Sequence, residues 1–319
     1  MKRYIATAIA ILFGTFCAYA QEWPAKSVRI IVPFAAGATP DIVARLIAER
    51  LQEQLGQTFI VENKPGASGN AGTDAVAKAA PDGATIGVSI GGPLAINTLL
   101  FAHLPYDPRK DLALITLLVT QPSALAVNAS LGMNNVPELI ELLRRNPGKY
   151  NFGSIGTGSL SQLAMEAIAL KSGTKMVHVP YASSPQAVTA LMRNEVQMVC
   201  LPAISITPQL GDGVIKLLAI STAQRSPLLP GVPTLKESGI DVQADAWMGL
   251  IAPAGVSGAV IERINHVVGE AITSPAIRQK LFAQLMEPIP GTPAQFRARI
   301  DADIARWRPV IEAAKIKVE

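Results

Sequence analysis

The sequence predicts an α/β fold in two lobes, each a mostly parallel sheet flanked by helices, with two segments of chain crossing between them. Three observations predict it. From Val28 onward, runs rich in β-branched residues alternate with stretches of helical periodicity, the pattern of strands covered by helices. The alternation is interrupted by an apolar extended run at residues 123–128 and then begins again. The chain has 319 residues, above the size at which a single hydrophobic core usually stops growing. A second extended apolar run, residues 245–252, suits the return crossing. The expected division is residues 21–122 plus 246–319 for a discontinuous first lobe, and 123–245 for the second.

The elements follow in order. Residues 28–32 read as a strand, and a loop through Ala38 leads to a helix. Thr39 is the expected N-cap, Pro40 the first helical residue, and Asp41 complements the positive helix end. Ile42, Val43, Leu46, Ile47, Leu51 and Leu55 form one apolar stripe, which Gly56 terminates. Residues 59–62 are the next strand. A glycine-rich loop at 63–72 then leads into a short helix ending by Ala80. Pro81-Asp82-Gly83 turns the chain into a strand at 84–90, followed by a helix near 94–101 and a strand near 114–119. Beyond the crossing, helices are expected at 137–145, 159–172 and 185–194. Strands are expected at 150–153, 176–180, 196–200 and 215–221. Residues 293–314 carry Phe296, Ile300, Ile304, Trp307 and Ile311 at helical spacing, which fits packing rather than ligand binding. The C-terminal helices are expected to return to the first lobe.

Residues 1–20 read as a secretory signal: Lys2 and Arg3, an apolar run from Ile5 to Phe16, then Ala18-Tyr19-Ala20 as a small-x-small cleavage site. The apolar run is shorter than the roughly 20 residues that span a bilayer. Cys17 raises lipidation, but Phe16 is too large for the residue before a lipidated cysteine. Cleavage would release a periplasmic protein starting at Gln21. Its formal charge falls from +4 to +2, with 26 basic against 24 acidic residues. No basic cluster interleaved with aromatics appears, so nucleic acid is not an expected partner. Only Cys200 remains, so no intramolecular disulfide can form, and three scattered histidines offer no local His/Cys metal spacing. No cofactor is expected.

Open α/β sheets bind ligands where strand ends meet helix N-termini. The five loops so placed lie at 33–41, 63–72, 89–93, 153–159 and 178–184. Apart from Tyr181, their titratable side chains are Asp41, Lys64 and His178. Glycines, small hydroxyls and bare amides suit an anion held by dipoles, each helix end contributing roughly 0.3–1 kcal/mol. One catalytic pattern competes with this. Gly87-Val88-Ser89-Ile90-Gly91 fits the G-x-S-x-G nucleophile elbow, with His178 or His266 downstream, and gives a secreted serine hydrolase using Ser89 as the alternative. Gly156-Thr157-Gly158 lacks the last glycine of a dinucleotide loop because Ser161 stands there.

Seven stretches resemble one family. They are Trp23-Pro24, "VPFAAGATPDIVAR" (32–45), "VENKPGASGNAGTDAVAKAAPDG" (61–83), "NPGKYNFGSIGTGS" (146–159), "HVPYASSPQAVTAL" (178–191), "RSPLLPGVPTLKESGI" (225–240) and "WMGLIAPAGV" (247–256). The chain resembles the Bug-type extracytoplasmic solute receptors of tripartite tricarboxylate transporters. The resemblance implies a periplasmic-binding-protein fold that closes on a small carboxylated solute and performs no chemistry on it. It implies carboxylate contacts from Phe34, Ala36, Gly37, Thr39 and Asp41 on one side and Ser154, Thr157, Gly158 and Ser159 on the other. Ser68 and Asn70 match the family's glycine-rich loop, Tyr181 its Val-Pro-Tyr loop, and Ser89 is a further expected contact. The implied partners are membrane permease subunits or a sensor kinase, with the receptor a monomer. Two positions depart from the pattern: Ala38 replaces a second glycine, and Cys200 stands where many members have Asp at the distal end of the pocket. The loss of that acid favours a solute without an ammonium group.

Overall fold

The structure is a computed structural model that describes residues 23–318, so the expected signal segment and Cys17 lie outside the described residues. Six strands form the first sheet: β1 (Val28–Val32), β2 (Phe59–Asn63), β3 (Thr85–Ile90), β4 (Leu112–Gln121), β10 (Ala246–Pro253) and β11 (Glu287–Pro288). Five form the second: β5 (Ser123–Asn128), β6 (Asn151–Ser154), β7 (Val177–Pro180), β8 (Met198–Pro202) and β9 (Ile215–Ile220). The orders are β11-β4-β10-β3-β1-β2 and β7-β6-β8-β5-β9. β1 to β4 run one way and β10 and β11 the other. In the second sheet only β5 opposes its neighbours.

The two crossing runs are therefore strands in their own right, β5 and β10, each inserted antiparallel among strands of common direction. Pro122 alone separates β4 from β5, so the chain changes sheet without a loop. The Pro122 carbonyl is not wasted, because it accepts the Ala203 amide at 2.9 Å.

Helices α1 (Thr39–Leu55), α2 (Asn70–Ala77), α8 (Gly258–Thr273) and α9 (Pro275–Phe282) belong with the first sheet, while α3 (Asn97–Leu100), which follows β3, turns Leu100 into the core of the second. With the second are α4 (Val136–Arg145), α5 (Leu160–Ser172), α6 (Ser184–Met192) and α7 (Ala203–Ile206). Because strand side chains alternate, β1 sends Val28, Ile30 and Val32 to a core shared with α1 and α8, and Ile31 to the opposite core. Burial of each such side chain contributes about 1.5–3 kcal/mol. Neither α8 nor α9 nor the short β11 was expected from the sequence.

The last helix, α10 (Pro293–Ala314), opens on a capping box between Thr292 and Gln295. Its first half places Phe296 and Ile300 in a core with Leu94 and Trp247 of the first lobe. Gly249 of β10 makes room for the Phe296 ring, which would collide with any Cβ there. Its second half places Trp307, Val310 and Ile311 in the core of the second lobe, beside Phe152 and Leu163. One helix thus enters both interiors, where the sequence predicts a return to the first lobe.

Candidate functional site

Between the two sheets lies a cavity of about 430 Å³. That volume is within the range of small-molecule sites. Its walls come from the β1–α1 loop, the β6–α5 loop, the helical segment after β3, and the chain around both crossings.

The β1–α1 loop supplies Phe34, Ala38, Thr39 and Pro40. Ala38, not Thr39, is the N-cap of α1, and no side chain caps the helix from that position. Alanine has no side-chain acceptor, and the loop is held instead by Asp41, whose carboxylate turns back to accept the Gly37 amide at 2.9 Å. It also accepts Arg45 Nε and Asn63 Nδ2, each at 2.9 Å. Burial pushes this carboxyl up, but Arg45, Gly37 and Asn63 together outweigh burial and hold it below the ordinary 3.8. Asp41, 2% exposed, thereby fixes the loop from behind the cavity wall. The Thr39 amide finds no acceptor among the described residues.

The β6–α5 loop supplies Ile155, Thr157, Gly158 and Ser159. Ser159 is the N-cap of α5 and also donates to the Gly156 carbonyl at 2.6 Å. Ser154 is fully buried at the end of β6, where its Oγ lies 2.6 Å from His178 Nε2 and accepts the Gly156 amide at 3.2 Å. His178 stacks on Phe152 with centroids 5.0 Å apart, and burial holds its imidazole below the ordinary value. Among the described residues, the amides of Thr157, Leu160 and Ser161 have no acceptor. Gly158 sits at φ +76°, and a Cβ there would meet Leu100 Cδ1 at 2.7 Å, so the loop touches the first lobe through this glycine.

The cavity extends to the crossings, lined there by Gln121, Ser123, Cys200, Asp245, Trp247 and Asp303. Arg299 donates to Asp245 at 3.0 Å, while Arg306 and the Trp247 indole each donate to Asp303 at 2.7 Å. Burial pushes the Asp303 carboxyl up, against the opposing pull of Arg299, Trp247 and Arg306. Burial also pushes the Cys200 thiol up to about 12. Sequence reasoning found Cys200 but missed Gln121, Ser123, Asp245, Trp247 and Asp303. One signal was available: Asp303 interrupts the buried stripe of α10 between Ile300 and Trp307, where an apolar side chain is the default.

Of the residues expected at the site, Phe34, Thr39, Ser68, Thr157, Gly158, Ser159 and Cys200 lie on the cavity wall. The others do not. Ala36 and Gly37 are on the outer part of their loop, Asp41 and Ser154 brace the two loops, and Tyr181 packs behind Gly153 with its amide on the Ser154 carbonyl. Asn70 is buried and accepts Asn97 at 2.6 Å and Tyr106 at 3.0 Å, which ties the glycine-rich loop to the segment after β3.

Ser89 corrects the hydrolase alternative. It lies within β3 and not on a strand-to-helix turn, is 1% exposed, and its Oγ is 3.2 Å from Thr73. His178 is paired with Ser154 in the other sheet, and His266 lies 3.6 Å from Glu270 on the surface of α8. No triad is assembled on Ser89.

Residues 43–316 match the family described as "Tripartite tricarboxylate transporter family receptor". Protein BugT of Bordetella pertussis is 33% identical over 302 residues, covering 94% of this chain and 93% of BugT. A solved structure of an R. palustris protein with adipate is 33% identical, with a TM-score of 0.80 over 93% of this chain and 99% of that one. MatC of Rhodopseudomonas palustris with bound malate is 29% identical, with a TM-score of 0.75 over 91% and 100% of the two chains. Family match, near-full-length identity and shared two-lobed fold agree, and the chain belongs to the receptors of the tripartite tricarboxylate transporter family.

Proposed function

We propose that this receptor captures a small solute by its carboxylate in the cavity between the lobes and hands it to membrane permease subunits without altering it. One observation carries the reading: loops from both sheets, each opening a long helix, line a single cavity and leave amides without protein acceptors there. Helix N-termini of this kind favour anions. Hydrogen bonds to a carboxylate add about 1.5–3 kcal/mol each, against about 8 kcal/mol net for micromolar binding. The adipate and malate held by structural neighbours support a carboxylate as the recognised group. Phe34, Thr39, Ser68, Thr157, Gly158, Ser159 and Cys200 are the proposed contacts, with Asp41 and Ser154 holding the two loops in place.

The reading places the mature protein in the periplasm as a monomer, released by cleavage after Ala20. Its lobes are residues 21–122 plus 246–319 and residues 123–245, with α10 reaching into both cores. Among the described residues no helix is long and apolar enough to cross a membrane, which fits a released receptor. The same binding event would serve a sensor kinase equally well. Uptake lost on deletion of the permease genes supports transport.

Thermal melting across a panel of carboxylates tests the binding step. A true ligand at 100 times its dissociation constant stabilises by about 2.7 kcal/mol. Amides and alcohols of the same shape should give no shift, and equal shifts from them would end the reading.

A further inference from the structure

We propose that the solute is a monocarboxylate with an uncharged, apolar body, because the acids at the crossing end of the cavity are already paired with guanidiniums and, among the described residues, no base lines its wall. The inference rests on the carboxylate reading above and narrows it. Three observations point the same way.

First, among the described residues no Lys, Arg or His side chain lines the cavity, and the charged residues on its wall are Asp245 and Asp303. A second carboxylate on the solute would face acids and no base.

Second, those two acids are already paired with donors of the protein. Asp245 accepts Thr120 at 2.7 Å, Gln243 at 2.8 Å and Arg299 at 3.0 Å. Asp303 accepts Arg306 and Trp247, both at 2.7 Å. Two carboxylates and two guanidiniums make the cluster neutral, so it offers no counter-charge to an ammonium.

Third, neutral side-chain donors of the wall are also committed. Gln121 Nε2 donates to the Gln284 carbonyl at 2.9 Å, and Ser123 Oγ to the Ala244 carbonyl at 3.0 Å. Asn97 Nδ2 donates to Asn70 Oδ1 at 2.6 Å. Much of the remaining wall is apolar, with Ile96, Leu100, Phe101, Trp247 and Met248 on it and the buried Cys200 thiol protonated at neutral pH. A charge placed there would be desolvated without a partner, whereas a hydrocarbon would gain contact area.

Isothermal titration of the mature protein with two matched triads tests this. Hexanoate, adipate and 6-aminohexanoate keep one carboxylate and a chain of similar length while the far end is neutral, anionic or cationic. The compounds 4-methylbenzoate, terephthalate and 4-(aminomethyl)benzoate do the same on an aromatic body. The neutral-ended acid of at least one triad should bind at least tenfold more tightly than both of its charged counterparts. Affinity should also rise about fourfold per methylene from butyrate to hexanoate. Failure of the neutral-ended acid to reach that tenfold margin in both triads, while acids still bind, overturns the inference and leaves carboxylate recognition standing. Binding of 1-hexanol as tight as hexanoate, or no binding by any acid, overturns both.

Discussion

At Asp41 three donors converge on one carboxylate that solvent barely reaches. Its partner Arg45 is more than half exposed, so screening limits the ion pair, and the amide donors matter more. Asp41→Asn should cost about 1–2 kcal/mol, read by urea melting at neutral pH. The pH dependence has a defined sign. Folding holds this carboxyl below 3.8, so its stabilisation is complete above 3.8 and fades as pH falls through the folded value. The gap between wild type and Asp41→Asn should narrow in that acid range. A constant gap would mean that the charge is not what fixes the loop. The sequence placed Asp41 at the positive helix end, which is where it lies. It could not show that the carboxylate also captures Asn63 of β2, a contact made only once β1 and β2 pair.

At the scale of elements, local signals served well wherever the cause is local. The β-branched run at 28–32, the Gly56 stop with its left-handed φ of 64°, and the 293–314 stripe all correspond to the observed elements. Thr39 was the expected N-cap because hydroxyls usually take that position, but the carboxylate of Asp41 claims the Gly37 amide and leaves Thr39 on the cavity wall. The crossing end of the cavity was illegible for a different reason. Thr120, Gln243, Asp245, Trp247, Arg299, Asp303 and Arg306 meet there from β4, the segment leading into β10, β10 itself and α10, and nothing in their spacing announces the meeting. Arg299 is the member whose loss should be felt most, since it lies between both acids, 3.0 Å from Asp245 and 3.5 Å from Asp303. Arg299→Leu should destabilise by about 3–5 kcal/mol in urea unfolding, because it strands buried carboxylates. A loss below about 1 kcal/mol would show that Thr120, Gln243, Trp247 and Arg306 suffice.

For the molecule as a whole, the two-lobed plan was legible from the repeated alternation of strands and helices, and the antiparallel insertion of β5 and β10 was not. Strand direction within a sheet depends on which neighbours a crossing run finds, and an extended apolar sequence fits either orientation. The placement of α10 was likewise hidden, because a helical stripe records that a face is buried and not whose interior receives it. Phe296 and Ile300 are fixed in one interior while Trp307, Val310 and Ile311 are fixed in the other. The lobes are therefore fastened by a shared rod as well as by two strands of chain. Heating the ligand-free protein should give one endotherm in scanning calorimetry, with van't Hoff and calorimetric enthalpies equal, because neither half can melt while the rod stays seated. Trp307→Ala, which unseats one end, should split or broaden that peak.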